Sequence, residues 1–396
     1  MSHTVRYHSI DIMKGLLIML MLFVYDLYLP SLPPWIAQET SGSVGLGLAG
    51  WVFPGFLFML GMTIPFIVSK KINENLSSKE IIRYIFSRSI ILLVIGVLMV
   101  NINRVDSQLT GFGKDILAIL IIIGVFLSWN KYPEKENNFF TVAGLRFLGL
   151  AVFVFLIFRF RSGSFENGSS LITGWWEIPG LAGWGFLVSA LTFLAFRNSV
   201  SGTFLIWLVF LGLNILSQLN LTEFLNPVRP YLGPLIDGNI PLIFLSGHIS
   251  GLLLKKFSAG EYRKVISRFA IMSLIMIATG IGLRKWMFPE GIYGNPGISL
   301  ICSGLTLAVF ILIYRVADTG KNDRFFNFLK PAGINAFTTY LIPVLFYHII
   351  AVAQLAVFFY HDSEYLFLSI AGSAIWALLM VWLTSLLVRL NIRLKI

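Results

Sequence analysis

The 396-residue chain is 57% hydrophobic and only 12% charged, with a formal net charge of +11 and a mean hydropathy of +0.81. Soluble domains carry about 25% charged residues, so this composition excludes a soluble enzyme, a secreted domain and a disordered linker. Apolar runs near 20 residues recur along the chain, the length that crosses ~30 Å of hydrocarbon as a helix. The expected fold is all-α, a single polytopic helical membrane bundle over residues 1–396 with eleven or twelve transmembrane helices. No A-x-A-like cleavage site follows the first run, which therefore reads as a span rather than a removable signal. Cys302 is the single cysteine, which leaves no intrachain disulfide and no cysteine-based metal site.

In chain order the apolar segments fall at 10–29, 48–69, 82–101, 112–128, 140–158, 180–196, 203–219, 239–254, 267–283, 297–314, 334–358 and 365–388. Alternate connections are unequally basic. The N-terminus holds two Lys/Arg, 69–88 five, 129–146 three, 196–202 one, 255–268 five, 314–331 four and the C-terminus three, which is 23 of 30. Positive charge collects on the cytoplasmic side of membrane proteins, so both termini are expected there. The same asymmetry suits anionic inner-leaflet lipid, or a cytoplasmic entrance for an anionic cofactor, and carries no nucleic-acid signal. No repeat of 20–50 residues and no matched pair of broken helices is visible, which weakens a secondary-transporter reading.

The first segment opens Ser9-Ile10-Asp11-Ile12-Met13-Lys14-Gly15. Asp11 and Lys14 share a helix face. Structurally, Ser9 or Asp11 would cap the helix and Lys14 would snorkel and pair with Asp11; functionally, a cation beside exposed helix amides would hold a phosphate. The far end of that segment reads Phe23-Val24-Tyr25-Asp26, followed by Trp35-Ile36-Ala37-Gln38-Glu39. The second contains Val52-Phe53-Pro54-Gly55-Phe56-Leu57-Phe58-Met59-Leu60-Gly61. Pro54 frees a carbonyl that a neighbouring polar group must satisfy, and Trp35 and Trp51 suit the membrane interface. Further on come Thr173-Gly174-Trp175-Trp176-Glu177-Ile178-Pro179-Gly180 and Gly333-Ile334-Asn335-Ala336-Phe337-Thr338-Thr339-Tyr340-Leu341-Ile342-Pro343.

In this order, these segments resemble the heparan-α-glucosaminide N-acetyltransferase family of transmembrane acetyltransferases, in its bacterial form, from about residue 7 to 347. The resemblance implies a bacterial inner-membrane protein that takes acetyl-CoA from the cytoplasm and acetylates an amino-sugar or glycan on the periplasmic side. It places a histidine in the first outer loop and an asparagine at the outer end of the first span. A histidine can take the acceptor's proton near neutral pH, and an amide can hold the thioester oxygen as charge develops. This chain departs there: Tyr25 stands for the asparagine, Gln38 for the histidine, and Gly50 and Val344 for two acids. Acetyl transfer is therefore expected to be weak or lost.

The remaining candidates are few. Asp26, Gln38 and Glu39 are the groups near the implied acceptor, Asp11 and Lys14 those at the implied cofactor mouth, and Tyr25, His248, Asn335 and Tyr340 the polar cavity residues. His248, mid-span between Ser246 and Ser250, reads as a hydrogen-bonded structural histidine or as a functional one; His348 reads as packed and paired. His361, Asp362 and Glu364 sit in a short outer turn without helical spacing, so no metal site is expected. Two non-enzymatic readings stand beside the acyltransferase: a binding or scaffold unit of an envelope complex, and a carrier for a solute or lipid-linked sugar. Expected partners are membrane lipids, a saccharide acceptor and envelope proteins, with no nucleic acid. A cysteine placed in 258–262 should label only from the cytoplasmic side; labelling of intact cells by an impermeant reagent would reverse the topology.

Overall fold

The computed structural model describes residues 7–27, 33, 35–36, 46–133, 139–163, 170–257, 261–287, 294–320, 324–361 and 365–394. Among them regular structure is helical, with two isolated bridges, Val105–Ser162 and Asn130–Leu394. The helices are α1 (His8–Asp26), α2 (Leu48–Asn73), α3 (Ser78–Val100), α4 (Ser107–Thr110), α5 (Lys114–Trp129), α6 (Phe139–Arg159), α7 (Glu177–Phe196) and α8 (Val200–Gln218). They continue with α9 (Arg229–Ile236), α10 (Asn239–Lys256), α11 (Tyr262–Met287), α12 (Pro296–Tyr314), α13 (Lys330–Ile334), α14 (Ala336–Val352) and α15 (Leu366–Arg389).

Each apolar segment of the sequence coincides with one of these helices. Among the described residues, nine are long and apolar enough to cross a membrane. The other three, α5, α10 and α14, have 16, 18 and 17 residues. At 1.5 Å per residue they reach about 24–27 Å, short of the full hydrocarbon thickness. The chain is thus an all-α polytopic membrane protein, and α10 owes its modest apolarity to its place inside the protein, where almost all its side chains are buried.

The chain divides into two compact units, Met1–Leu17 with Ser31–Ile90 and Leu181–Gly333, and Ile18–Pro30 with Ile91–Gly180 and Ile334–Ile396. In the first, α10 packs on α2, α8 and α12, and α11 on α12. Small residues bring the α2 and α10 backbones together: a Cβ on Gly247 would lie 1.9 Å from the Phe58 carbonyl oxygen, and one on Gly251 2.3 Å from that of Met62. Both contacts advance the same way along the two helices, which therefore run parallel. Without a hydrophobic drive between helices in lipid, such close backbone approach is a main source of their packing energy. Pro54 leaves the Gly50 carbonyl without its i+4 donor; the thiol of Cys302 reaches it at 3.7 Å. The Trp51 indole N–H donates to Thr306 Oγ1 at 3.0 Å. The first and last motifs of the sequence also meet here. A Cβ on Gly333 would lie 1.8 Å from the Asp11 carbonyl oxygen, and one on Gly15 2.2 Å from that of Leu329.

In the second unit α14 packs on α5 and α15, and α5 on α6, around Leu22, Ile342, Trp376, Ala377 and Met380. Asn101, wholly buried, donates to the Val97 and Ile172 carbonyls at 2.7 Å and accepts from the Ile172 amide at 3.2 Å, joining the end of α3 to the segment before α7. Lys131 N donates to the Arg393 carbonyl at 2.8 Å, and Arg393 N to Asn130 Oδ1 at 2.8 Å. The tail after α15 is fastened in this way to the α5–α6 connection.

A matched pair of variants tests the close approach. Gly247→Ala should lower the unfolding temperature in detergent, since overpacking costs typically 1–3 kcal/mol. Gly212→Ala, whose added Cβ meets nothing within 4 Å, should leave it unchanged or slightly raised. Equal effects would remove backbone contact as the reason.

Candidate functional site

Asp26 ends α1 in the second unit and is 2% exposed. Tyr360 Oη donates to its Oδ2 at 2.8 Å, Tyr347 Oη donates to Oδ1, and His361 Nε2 lies 3.3 Å from Oδ1. Removing a carboxylate from water is expensive unless hydrogen bonds replace its hydration; two phenols do so here, and His361 Nε2 adds a contact at ion-pair distance only. The rings brace one another. His361 stacks on Phe358 at 5.0 Å with 11° between planes and meets Tyr360 edge-on at 4.7 Å, while Tyr347 and Phe358 both pack on Trp376. Asp26 is therefore held in place by its neighbours, and His361 beside it stays partly exposed.

A second histidine–carboxylate pair lies in the same unit. His348 Nδ1 sits 2.7 Å from Asp115 Oδ1, the packed and paired histidine that the sequence suggested. Consecutive residues of α14, Tyr347 and His348, thus bind acids from α1 and α5.

The tryptophan pair is split by burial, with Trp175 56% exposed and Trp176 8%. Trp176 and Glu177 both adopt left-handed backbone, φ 73° and 51°, a conformation that costs non-glycine residues roughly 1–3 kcal/mol each and collects at functional sites. Close packing holds it: a Cβ on Gly96 would lie 2.3 Å from the Trp176 carbonyl oxygen. Glu177 Oε2 is buried and has no hydrogen-bond partner among the described residues. Tyr340, 7% exposed on α14, is within electrostatic reach of Glu177 and Tyr25. Tyr25 itself is 55% exposed. Asn335 is half-buried at the N-cap of α14 and does not cap it with its side chain. Gln38 and Glu39 lie outside the described residues.

In the first unit, neither Ser9 nor Asp11 caps α1. The amides of His8 and Ser9 donate to Asp318 Oδ1 and Oδ2 at 2.8 and 3.1 Å, so a carboxylate distant in sequence occupies the positive end of the helix. Burial, and then Asp318, hold the neighbouring Tyr7 hydroxyl above the usual phenol range. Lys14 Nζ pairs with Asp11 at 3.2 Å. The phosphates of acetyl-CoA, the donor implied by the resemblance, would need amides or cations at this mouth; the amides already donate to Asp318 and the cation is paired, so these residues do not fit the group.

His248 is wholly buried, as a mid-span histidine should be, yet Ser246 and Ser250 are not its partners. Their hydroxyls donate to the Leu242 and Ser246 carbonyls one turn back, at 2.8 and 3.0 Å, a habit of serine within helices. His248 Nδ1 instead meets Ser189 Oγ at 3.0 Å, and Nε2 has no partner among the described residues. No group of three His, Cys, Asp or Glu that could hold a metal ion occurs among the described residues.

Residues 6–175 match the family model described as Domain of unknown function (DUF5009). Over 142 residues the chain is 28% identical to heparan-alpha-glucosaminide N-acetyltransferase of Mus musculus, covering 33% of this chain and 21% of the mouse protein. The chain is distantly related to an N-acetyltransferase. The match spans about a fifth of that relative's length. The family model takes in Asp11, Lys14, Tyr25 and Asp26 but stops short of Tyr347, Tyr360 and His361. Sequence reasoning missed these three as partners of Asp26. The available signal was an aromatic-rich outer turn, Phe358-Phe359-Tyr360-His361, whose polar edges had no stated purpose.

The Asp26 cage has a pH signature. Burial, with the hydrogen bond to and charge of Asp26, raises the Tyr360 pKa above that of a free phenol. The neutral phenol is thus favoured in the folded state, and its contribution is complete below the ordinary tyrosine value, then declines as pH rises through and beyond it. Tyr360→Phe should lower stability at pH 8 by roughly 1.5–3 kcal/mol, the worth of a hydrogen bond to a charge. It should also flatten the fall in unfolding temperature between about pH 9.5 and 11. Parallel pH profiles for the two proteins would remove Tyr360 as the titrating group.

Proposed function

We propose that this protein is a membrane acyltransferase that acylates an amino-sugar or glycan on the periplasmic side of a bacterial inner membrane, both termini being cytoplasmic. The donor is acetyl-CoA, by analogy with the relative named above. The observation that carries the reading is the His361 ring 3.3 Å from buried Asp26. The expectation of lost activity rested on Tyr25, Gln38, Gly50 and Val344 together leaving no poised base; a histidine 3.3 Å from a carboxylate offers one. The His361 ring takes a proton from an acceptor amine or hydroxyl, and the nearby carboxylate stabilises the imidazolium that forms. Tyr25 stands where the resemblance places an amide. Its hydroxyl is a less specialised donor to a developing oxyanion, so turnover is expected to be slow.

A scaffold role remains the second reading, and one observation favours it: both Asp26 oxygens already have phenol donors, so the cage is complete without a substrate. Transfer of radiolabelled acetyl from acetyl-CoA to glucosamine by the purified protein separates the two. His361→Asn should lower kcat by 10²–10⁴-fold, the usual worth of general base catalysis, with Asp26→Asn lowering it less. Tyr25→Asn combined with Gln38→His should raise it. No transfer by the unmodified protein, or equal transfer by His361→Asn, would leave the scaffold reading in place.

A further inference from the structure

In the first unit Lys255, in the last turn of α10, is a cation with no acid. Its Nζ donates to Ser69 Oγ on α2 and, at 3.0 Å, to Asn198 Oδ1 in the α7–α8 turn, and it lies 5.6 Å from the Phe193 ring centre. Serine, amide and arene are neutral partners, and no carboxylate among the described residues pairs with it. One of the ammonium's three donors is left over. Partly burying an ammonium costs free energy that neutral partners offset only in part, so the charge is still available to an anion.

The surroundings agree. Each anchoring residue is the chain neighbour of an exposed cation: Ser69 of Lys70, Asn198 of Arg197, and Lys255 itself of Lys256. The nearest acid along α2, Glu74, is paired with Lys71 at 3.2 Å. Asn198 also immediately precedes Ser199, the N-cap of the 19-residue α8, so the positive end of that helix dipole adds to the same field. The contrast with α1 is direct: there Asp318 occupies the helix amides and Asp11 the lysine, whereas no carboxylate enters the Lys255 cluster.

We infer that Lys255, Ser69 and Asn198, with Lys70, Arg197 and Lys256 around them, form a site for a phosphate-bearing anion at the end of the first unit where α2 and α10 finish and α8 begins. Two sources share this chemistry, the phosphates of a nucleotide such as coenzyme A and the headgroup of an acidic phospholipid. The site does not require the proposed acyl transfer, although a coenzyme A arm would deepen that reading.

The test is binding to the full-length protein, read without catalysis. Coenzyme A is titrated into delipidated protein in detergent, and in parallel the protein is reconstituted into nanodiscs of phosphatidylcholine with or without phosphatidylglycerol, with lipid retention read by mass spectrometry. Lys255→Gln is expected to weaken whichever probe binds by at least about tenfold, and Lys255→Arg to restore most of it. The responding probe names the source. Should Lys255→Gln fail to fold, Arg197→Gln with Lys256→Gln, both at exposed positions, should weaken binding several-fold at unchanged unfolding temperature. Wild-type protein that binds neither probe, or binding indifferent to these variants, would overturn the site. Anion binding that depends on Lys255 in a protein without acetyl transfer would instead overturn only the acyltransferase reading.

Discussion

Hydrocarbon offers no hydrogen bonds, so every polar group that this chain carries into the bilayer has to find its partner within the protein. Most of the structure's particular features answer that demand. The carbonyl released by Pro54 is met by the lone cysteine thiol, the first amides of α1 by Asp318, and the Asp26 carboxylate by two phenols. Glycines on α2 and α10 serve the same constraint differently, letting two helices whose polar groups are satisfied internally pack at backbone contact. Chemistry can occur only where the demand is met by groups that also reach water, and the partly exposed His361 is such a group.

The arrangement at Asp26 sets an imidazole beside a buried acid in a chain that departs, at named positions, from the family it resembles. What the sequence shows at those positions is loss: Tyr25, Gln38, Gly50 and Val344. What the second unit assembles is a carboxylate bonded to residues 321 and 334 positions away. The strained Trp176–Glu177 pair, held by close packing against Gly96, lies in the same unit and carries a carboxylate oxygen without a partner. The two ends of α1 thus differ in character. Near Lys14 the charges are mutually neutralised, whereas beyond Tyr25 a buried acid accepts hydrogen bonds from two phenols.

Electrostatics at the ends of the first unit follow the same division. A helix N-terminus attracts an anion whatever its source, and at α1 the chain provides its own in Asp318. At the start of α8 the cap is Ser199, and the nearby lysine rests on neutral partners. The start of α1 is internally neutralised, whereas the cluster around Lys255 retains net positive charge.

The sequence alone determined the class of the molecule. Apolar run lengths and the shortage of charge left only a polytopic helical bundle, because span length is set by bilayer thickness and both are read residue by residue. Each apolar segment did become a helix, and the Asp11–Lys14 pair formed as spacing required, since i,i+3 neighbours meet on any helix. Only the tertiary structure decided which polar groups found each other. His248 turned to Ser189 because its neighbouring serines bond back along their own helix. His361 became the partner of Asp26, and Asp318 the cap of α1, because contacts between residues hundreds of positions apart depend on how helices pack, which local pattern does not encode.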